Sequence, residues 1–224
     1  MTNDLDRVST DLVKSLGRDE LADLGGTIGD IALDSVISSG ALDGVPIVGT
    51  LVSIARSGAA IRDLVFQRKV IAFLTSFANE SDPTSRKEFV RKIEEQGDGQ
   101  RFGETIVLLL ERMDDLFKPV IVGRLMAAAA RGDVTLVEAL RLGRIIDRAF
   151  IEDLRLLPDF VDDKVQPDET VADALFSAGL LRNGGIKGSG YSEEEREDPG
   201  GTFYSRNRYA QLLIEFGLAS GRKL

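Results

Sequence analysis

The chain has 224 residues, a formal net charge of −9, and neither Cys nor His. Its length and its 43% content of hydrophobic residues allow one large domain with a packed core, or a domain with a small appendage. Without Cys and His there are no disulfides, thiol nucleophiles, imidazole bases or thiolate and imidazole metal sites, which excludes most catalytic machinery. An enzyme would need Asp and Glu with Mg²⁺, a Ser–Lys pair or Tyr, and no such pattern stands out, so we expect no enzyme, no metal and no cofactor. The negative charge opposes contact with nucleic acid or anionic lipid.

The first residues are a mixed amphipathic segment and lack the charged and apolar regions of a secretory signal. We therefore expect a cytoplasmic protein. Apolar residues recur at helical spacing from Leu5 to Leu16, which predicts a helix over residues 4–16. A second, mostly buried helix is predicted over residues 21–39, because its polar residues occupy a narrow arc. Turn residues over 40–46 then lead into a third helix, so that the last two form a helical hairpin.

Residues 21–61 are the most distinctive segment. They contain one base, Arg56, and only a few acids among many Gly, Ala, Ile, Leu and Val residues. Such a segment must be shielded from water, either in the core of this protein or against a partner or a membrane. Charges and helix breakers interrupt it too often for a permanent membrane span. The sequence allows two interpretations: the hairpin is part of the structural core, or it is released under some condition to contact a partner or a membrane. In the second case, the expected contact residues are Ile47, Val48, Gly49, Leu51, Val52 and Ile54.

Further helices are predicted downstream. Asp82-Pro83 has the pattern of a capped helix start, and that helix continues to residue 95. The apolar pattern from Phe102 to Phe117 predicts one long helix stopped by Lys118-Pro119, and another helix is predicted over residues 119–131.

Thr135 and Glu138 have the spacing of a capping box. The helix that follows extends toward Leu157-Pro158, with Gly143 as a point of interruption. Strand signals are almost absent up to this point. Residues 1–157 are therefore predicted to form a helical bundle.

Residues 158–224 have a different sequence pattern, with short strand signals and a Gly-rich loop in addition to helices. A short helix is predicted over 170–178, then two short strands at 180–182 and 202–204 around a Gly-rich acidic loop, and a last helix capped by Asn207. The expected fold class is therefore mainly α: a helical bundle with a Gly-rich apolar N-terminal helical hairpin, and a C-terminal segment containing a short β-hairpin.

The stretches LFSAGLL and YSRNRYAQLLIEFG resemble the closing half of bacterial winged helix-turn-helix domains, in which a helix ending in Gly leads into the wing. The resemblance implies a winged-helix-like segment over residues 158–224. If it binds DNA, the candidate contact residues are Arg206 and Arg208. The acids from Glu193 to Asp198, however, place negative charge where a DNA-binding wing requires Lys or Arg. Protein contact is therefore favoured, and nucleic acid is not the expected partner.

The layout as a whole is similar to that of small bacterial helical proteins of the abortive-infection (Abi-alpha) type. This resemblance implies a role in bacterial cell defence, with membrane contact. We therefore hypothesise a non-enzymatic protein that engages a protein partner or a second copy of itself, and that associates with a membrane on activation. Two alternatives remain: a winged-helix DNA-binding transcriptional regulator, and an enzyme that uses carboxylates and Mg²⁺.

Overall fold

The computed structural model describes residues 2–24, 44–56, 61–160, 168–187 and 201–218. Most of the helix predicted over 21–39 lies outside these residues, as does the acidic loop after Lys187. The described residues are mainly helical, with a two-stranded antiparallel sheet near the C-terminus. The predicted fold class, mainly α with a short C-terminal β-hairpin, is thus confirmed.

The chain divides into two compact units, residues 1–143 and residues 144–224. Their boundary lies within a helix, Leu136–Arg148, whereas the change in composition had placed the domain boundary after residue 157.

The N-terminal unit is a helical bundle. A 3₁₀ turn at Asp19–Leu24 follows the first helix, and the successive helices are α1 (Thr2–Leu16), α2 (Pro46–Arg56), α3 (Ile61–Asn79), α4 (Pro83–Glu95), α5 (Gly99–Arg112), α6 (Phe117–Arg131) and the start of α7 (Leu136–Arg148). Helix α6 is central, since every residue from Lys118 to Ala128 is buried. It packs mainly on α3, while α1 packs on α5 and α2.

Aromatic side chains form the middle of this core. The rings of Phe73 and Phe77 have centroids 6.4 Å apart, Phe77 lies 6.1 Å from Phe89, and Phe89 lies 5.8 Å from Phe102 in an edge-to-face arrangement. Edge-to-face and offset ring pairs add to the free energy gained by burying the rings. The series connects α3, α4 and α5.

The helix predicted over 83–95 is confirmed as α4. It begins after Asp82, whose Oδ1 accepts hydrogen bonds from the backbone N–H groups of Thr84 (2.9 Å) and Ser85 (3.0 Å). This side chain satisfies two of the N–H groups that a helix start leaves without an intrahelical partner.

The prediction that Lys118-Pro119 stops a helix is wrong. Helix α5 ends at Arg112, and α6 already begins at Phe117, whose N–H donates to Asp115 Oδ1 at 2.6 Å. Pro119 is the third residue of α6, where no intrahelical hydrogen bond requires its missing N–H group. Proline is therefore as compatible with the first turn of a helix as with the residues that follow a helix.

The capping box before α7 is confirmed. Thr135 Oγ1 accepts from the N–H of Glu138 (3.2 Å), and Glu138 Oε2 accepts from the N–H of Thr135 (3.0 Å). Gly143 does not interrupt this helix. It is buried, and a β-carbon at this position would lie 2.8 Å from Leu109 Cδ2, so glycine here permits the close approach of α5. The helix ends instead at Arg148.

The C-terminal unit contains α8 (Ile151–Leu156), α9 (Glu169–Ala178), β1 (Leu181–Lys187), β2 (Gly201–Arg206) and α10 (Arg208–Leu212), which continues as a π-helical turn to Gly217. The strands pair with Leu181 opposite Arg206 and Asn183 opposite Tyr204. Helix α9 ends at Gly179, whose φ of 91° is in the left-handed region that favours glycine. The predicted order of helix, hairpin and capped helix is confirmed.

Candidate functional site

Helix α2 carries the residues expected to contact a partner or a membrane. Its inner face is formed by Ile47, Thr50 and Leu51, which are 0%, 3% and 6% exposed. Gly49 lies on the outer face and is exposed, and Val48 is half-buried. The side chains of Val52 and Ile54 are outside the described part of the chain. The structure therefore divides the predicted contact residues between a hidden face and an accessible one.

Two hydrogen bonds attach α2 to α1. The hydroxyl of Thr50 donates to Asp11 Oδ2 at 2.6 Å, and the backbone N–H of Ile47 donates to Ser15 Oγ at 3.1 Å. The Ser15 hydroxyl in turn donates to the backbone carbonyl of Asp11 at 2.6 Å. Because Ser15 and Thr50 are buried, these bonds form where water does not compete strongly.

Helix α3 supplies another polar contact to α2. The amide of Gln67 donates from Nε2 to the carbonyl oxygen of Leu51 at 3.1 Å, and Gln67 is itself buried. Sequence patterns did not identify Asp11, Ser15 and Gln67 as part of this region. A sequence signal for these residues did exist, because a polar residue at a position where the helical period requires an apolar one indicates a buried polar contact. Ser15 is an example, since it lies beside Leu16 on the buried side of α1.

The first turns of α3 expose apolar side chains. Leu64 is 52% exposed and Val65 is 42% exposed, whereas the residues from Val70 to Ala78 are all buried. The described residues therefore cover only part of the apolar surface of the α2–α3 region.

Arg86 is a cation in the bundle core that we do not assign to a binding site. Its Nη1 donates to the carbonyl oxygens of Ser81 (2.8 Å) and Ala78 (3.4 Å), and it links the end of α3 to α4. Within the described residues, no atom accepts a hydrogen bond from its Nε or Nη2. Burial lowers the pKa of this guanidinium. The negative charges of Asp19 and Asp82 raise the pKa but do not offset the effect of burial. Because Arg86 is only 1% exposed, a ligand cannot reach it in this conformation.

The C-terminal unit places the other candidate residues at the end of β2. Arg206 is half-buried and Arg208 is exposed. The nearby helix α9 has no basic residue and exposes Glu169 and Asp173, one turn apart. The hydroxyl of Tyr204 donates to Asp173 Oδ1. This hydrogen bond raises the pKa of Tyr204, together with burial and the negative charges of Asp173 and Glu169.

Acidic residues elsewhere do not form a metal centre in the part of the chain that the structure describes: no three of them are arranged to hold an ion. Asp153 of α8 does have a perturbed environment. Burial raises its pKa, and the negative charges of Glu152 and Asp168 raise it further. A lone carboxyl group of this kind is not a catalytic constellation.

No family model, curated protein or solved structure matches this chain. Across the described ranges, no helix has both the length and the apolar character needed to cross a lipid bilayer.

Proposed function

We propose that this chain is a non-enzymatic helical protein that acts by engaging a partner through the apolar surface of α2 and the start of α3. The partner is a protein, which includes a second copy of the chain, and membrane contact follows only after activation. The layout that resembles abortive-infection proteins is the reason to assign this activity to bacterial cell defence.

The peripheral position of α2 is the observation that carries the proposal. Among the described helices, α2 contacts chiefly α1 and α3, while the central packing of the unit is between α3 and α6. Its outer face is accessible at Gly49. The principal packing of α3 on α6 does not involve α2, so movement of α2 would leave that packing in place.

A protein partner is favoured over a membrane as the primary contact. The net charge of −9 repels anionic lipid, and α2 has 11 residues, which is too short to span a bilayer. Leu64 and Val65 supply exposed apolar area of the kind that protein interfaces cover.

The proposal can be tested with a single label, because the chain has no Cys. A Gly49→Cys variant carries an environment-sensitive dye on the outer face of α2, where a β-carbon meets no atom within 4 Å. The labelled protein is mixed with rising concentrations of unlabelled protein, and separately with phosphatidylcholine and phosphatidylglycerol vesicles at neutral and lowered pH. We expect dye emission to change at Gly49→Cys and not at the control Gly99→Cys on α5.

Charge substitution separates engagement from folding. Gly49→Asp adds a carboxylate at an exposed position, so it should abolish the interaction and leave the unfolding midpoint nearly unchanged. Leu51→Asp would instead place a carboxylate where the native side chain is 6% exposed, which should destabilise the unit. If the Gly49→Cys dye responds to neither protein nor lipid under any of these conditions, engagement of a second copy and engagement of a membrane are both contradicted.

A winged-helix DNA-binding transcriptional regulator is the second candidate function. The order of α9, hairpin and α10 favours it, as does the exposed Arg208 beside Arg206. The acids on α9 oppose it, because a recognition helix in that position needs positive charge near phosphates. Salt-dependent retardation of duplex DNA in gel shifts, weakened by Arg206→Ala and Arg208→Ala, would support this function in place of the first.

A further inference from the structure

Helix α2 is capped by a residue of another helix. The residue before Pro46 is Val45, which has no side-chain acceptor for the free N–H groups of the first turn. The acceptor for the Ile47 N–H is Ser15 Oγ, on α1. Within the described residues, the side-chain acceptor for this turn thus comes from α1, while the Val48 N–H donates locally to the Val45 carbonyl oxygen at 3.0 Å.

The second bond fixes the register of the two helices. Thr50 lies one turn after Ile47 and donates to Asp11, which lies one turn before Ser15. Burial of Ile47 and Leu51 also holds α2, but apolar contact is not directional and tolerates sliding. The hydrogen bonds, in contrast, are compatible with only one register of α2 against α1. A helix of 11 residues that is detached from its neighbours is only marginally stable in water.

We propose that Asp11 and Ser15 form a polar clasp that caps α2 and holds it closed, and that opening this clasp is the step that frees α2 to engage a partner. The inference rests on the proposed function for its consequence, while the clasp itself can be measured independently. Because the clasp provides both the cap and the register, breaking it should loosen α2 selectively.

Hydrogen–deuterium exchange on the full chain tests the clasp. Thr50→Val keeps the shape of the side chain and removes the donor, and Ser15→Ala removes the cap. Each should accelerate exchange over residues 46–56 by roughly five- to thirtyfold, the effect expected for one lost buried hydrogen bond, with little change in α3 to α6. Thr50→Ser retains the hydroxyl and should exchange like the native chain.

The matched control is Thr10→Val, also on α1. Thr10 Oγ1 donates to Gln100 Oε1 at 2.8 Å, so this variant removes an inter-helix bond that leads to α5 instead of α2. Its exchange over residues 46–56 should remain native. In a double-mutant cycle, the variant that combines Asp11→Ala and Thr50→Val should accelerate exchange over residues 46–56 by less than the product of the two single accelerations. Both substitutions remove the same hydrogen bond, so their effects are not independent.

The outcomes distinguish the clasp from the proposed function. Faster exchange confined to α2, with tighter self-association or vesicle binding, supports both. Faster exchange confined to α2 without self-association or vesicle binding supports the clasp and contradicts the proposed engagement of a second copy or a membrane. Unchanged exchange in Thr50→Val and Ser15→Ala, or equal acceleration throughout residues 2–131, overturns the clasp.

Discussion

Gly103 lies directly against Ser9, so that a β-carbon at Gly103 would be 2.4 Å from the Ser9 carbonyl oxygen. No real β-carbon tolerates such a contact with backbone. Helix α5 can approach α1 this closely only because residue 103 has no side chain. This contact helps to position α1, the helix that carries Asp11 and Ser15.

Gly103→Ala should therefore destabilise the N-terminal unit by about 1 to 3 kcal/mol, the usual range for overpacking a close helix contact. Gly99→Ala is the control in the same helix, because its β-carbon would meet only Glu94 Cγ, at an ordinary 3.8 Å. That change should be neutral or slightly stabilising. Urea unfolding followed by circular dichroism measures both. Equal effects of the two substitutions would contradict the close packing of α1 and α5.

The sequence predicted helices well where a local signal marks their ends. Asp82-Pro83 and the Thr135–Glu138 pair place side-chain acceptors beside free N–H groups, and both helix starts were correct. Pro119 misled the prediction because a proline is compatible with the first turn of a helix as well as with the residue after one. In the structure, α5 ends where Met113 leaves helical geometry, with φ −58° and ψ 136°.

The candidate site was predicted only in part. Helical periodicity identified α2 as apolar, but it could not show which side faces the bundle, because the face depends on the neighbour that α2 meets. The bonds from Ser15 to Ile47 and from Asp11 to Thr50 join residues that are far apart in sequence. No spacing rule relates such positions, so these contacts become visible only in the folded chain.

Asp153→Asn should stabilise the C-terminal unit at neutral pH. Because the pKa of Asp153 is raised in the folded state, folding favours the protonated carboxyl and the ionised form opposes folding. The native carboxyl therefore lowers stability as pH rises through its folded pKa, and this loss is absent below its unfolded pKa. The gain from Asp153→Asn should be larger at pH 7 than in acid.

The measurement for Asp153 is the difference in the free energy of unfolding between variant and native chain across that pH range. Asp159→Asn is the control, because Asp159 is exposed and its substitution removes the same charge. A benefit that is equal for the two variants would indicate a general effect of net charge. It would not support partial burial of Asp153 as the cause.

Asn207 stabilises two elements of the C-terminal unit. Its Oδ1 accepts from the N–H of Ala210 at 3.1 Å, and its Nδ2 donates to the carbonyl of Gly179 at 2.8 Å. Asn207→Ala removes both bonds and should cost about 1 to 2 kcal/mol. Asn207→Asp keeps the cap of α10 and should cost less. Thermal unfolding of the two variants measures these losses of stability. A larger loss of stability in Asn207→Asp than in Asn207→Ala would contradict the capping role of Asn207.

Tyr204 provides a spectroscopic test of the acidic surface of α9. Its pKa is raised first by the hydrogen bond to Asp173, so Asp173→Asn should lower it, and Glu169→Gln should lower it by a smaller amount. The protonated phenol contributes stability below the unfolded pKa of tyrosine, and this contribution is lost as pH rises through the folded pKa. The chain has three Tyr and no Trp, so ultraviolet difference absorbance can follow the phenolate directly, with Tyr204→Phe assigning the signal. A Tyr204 pKa that does not change in Asp173→Asn would contradict the contact between β2 and α9.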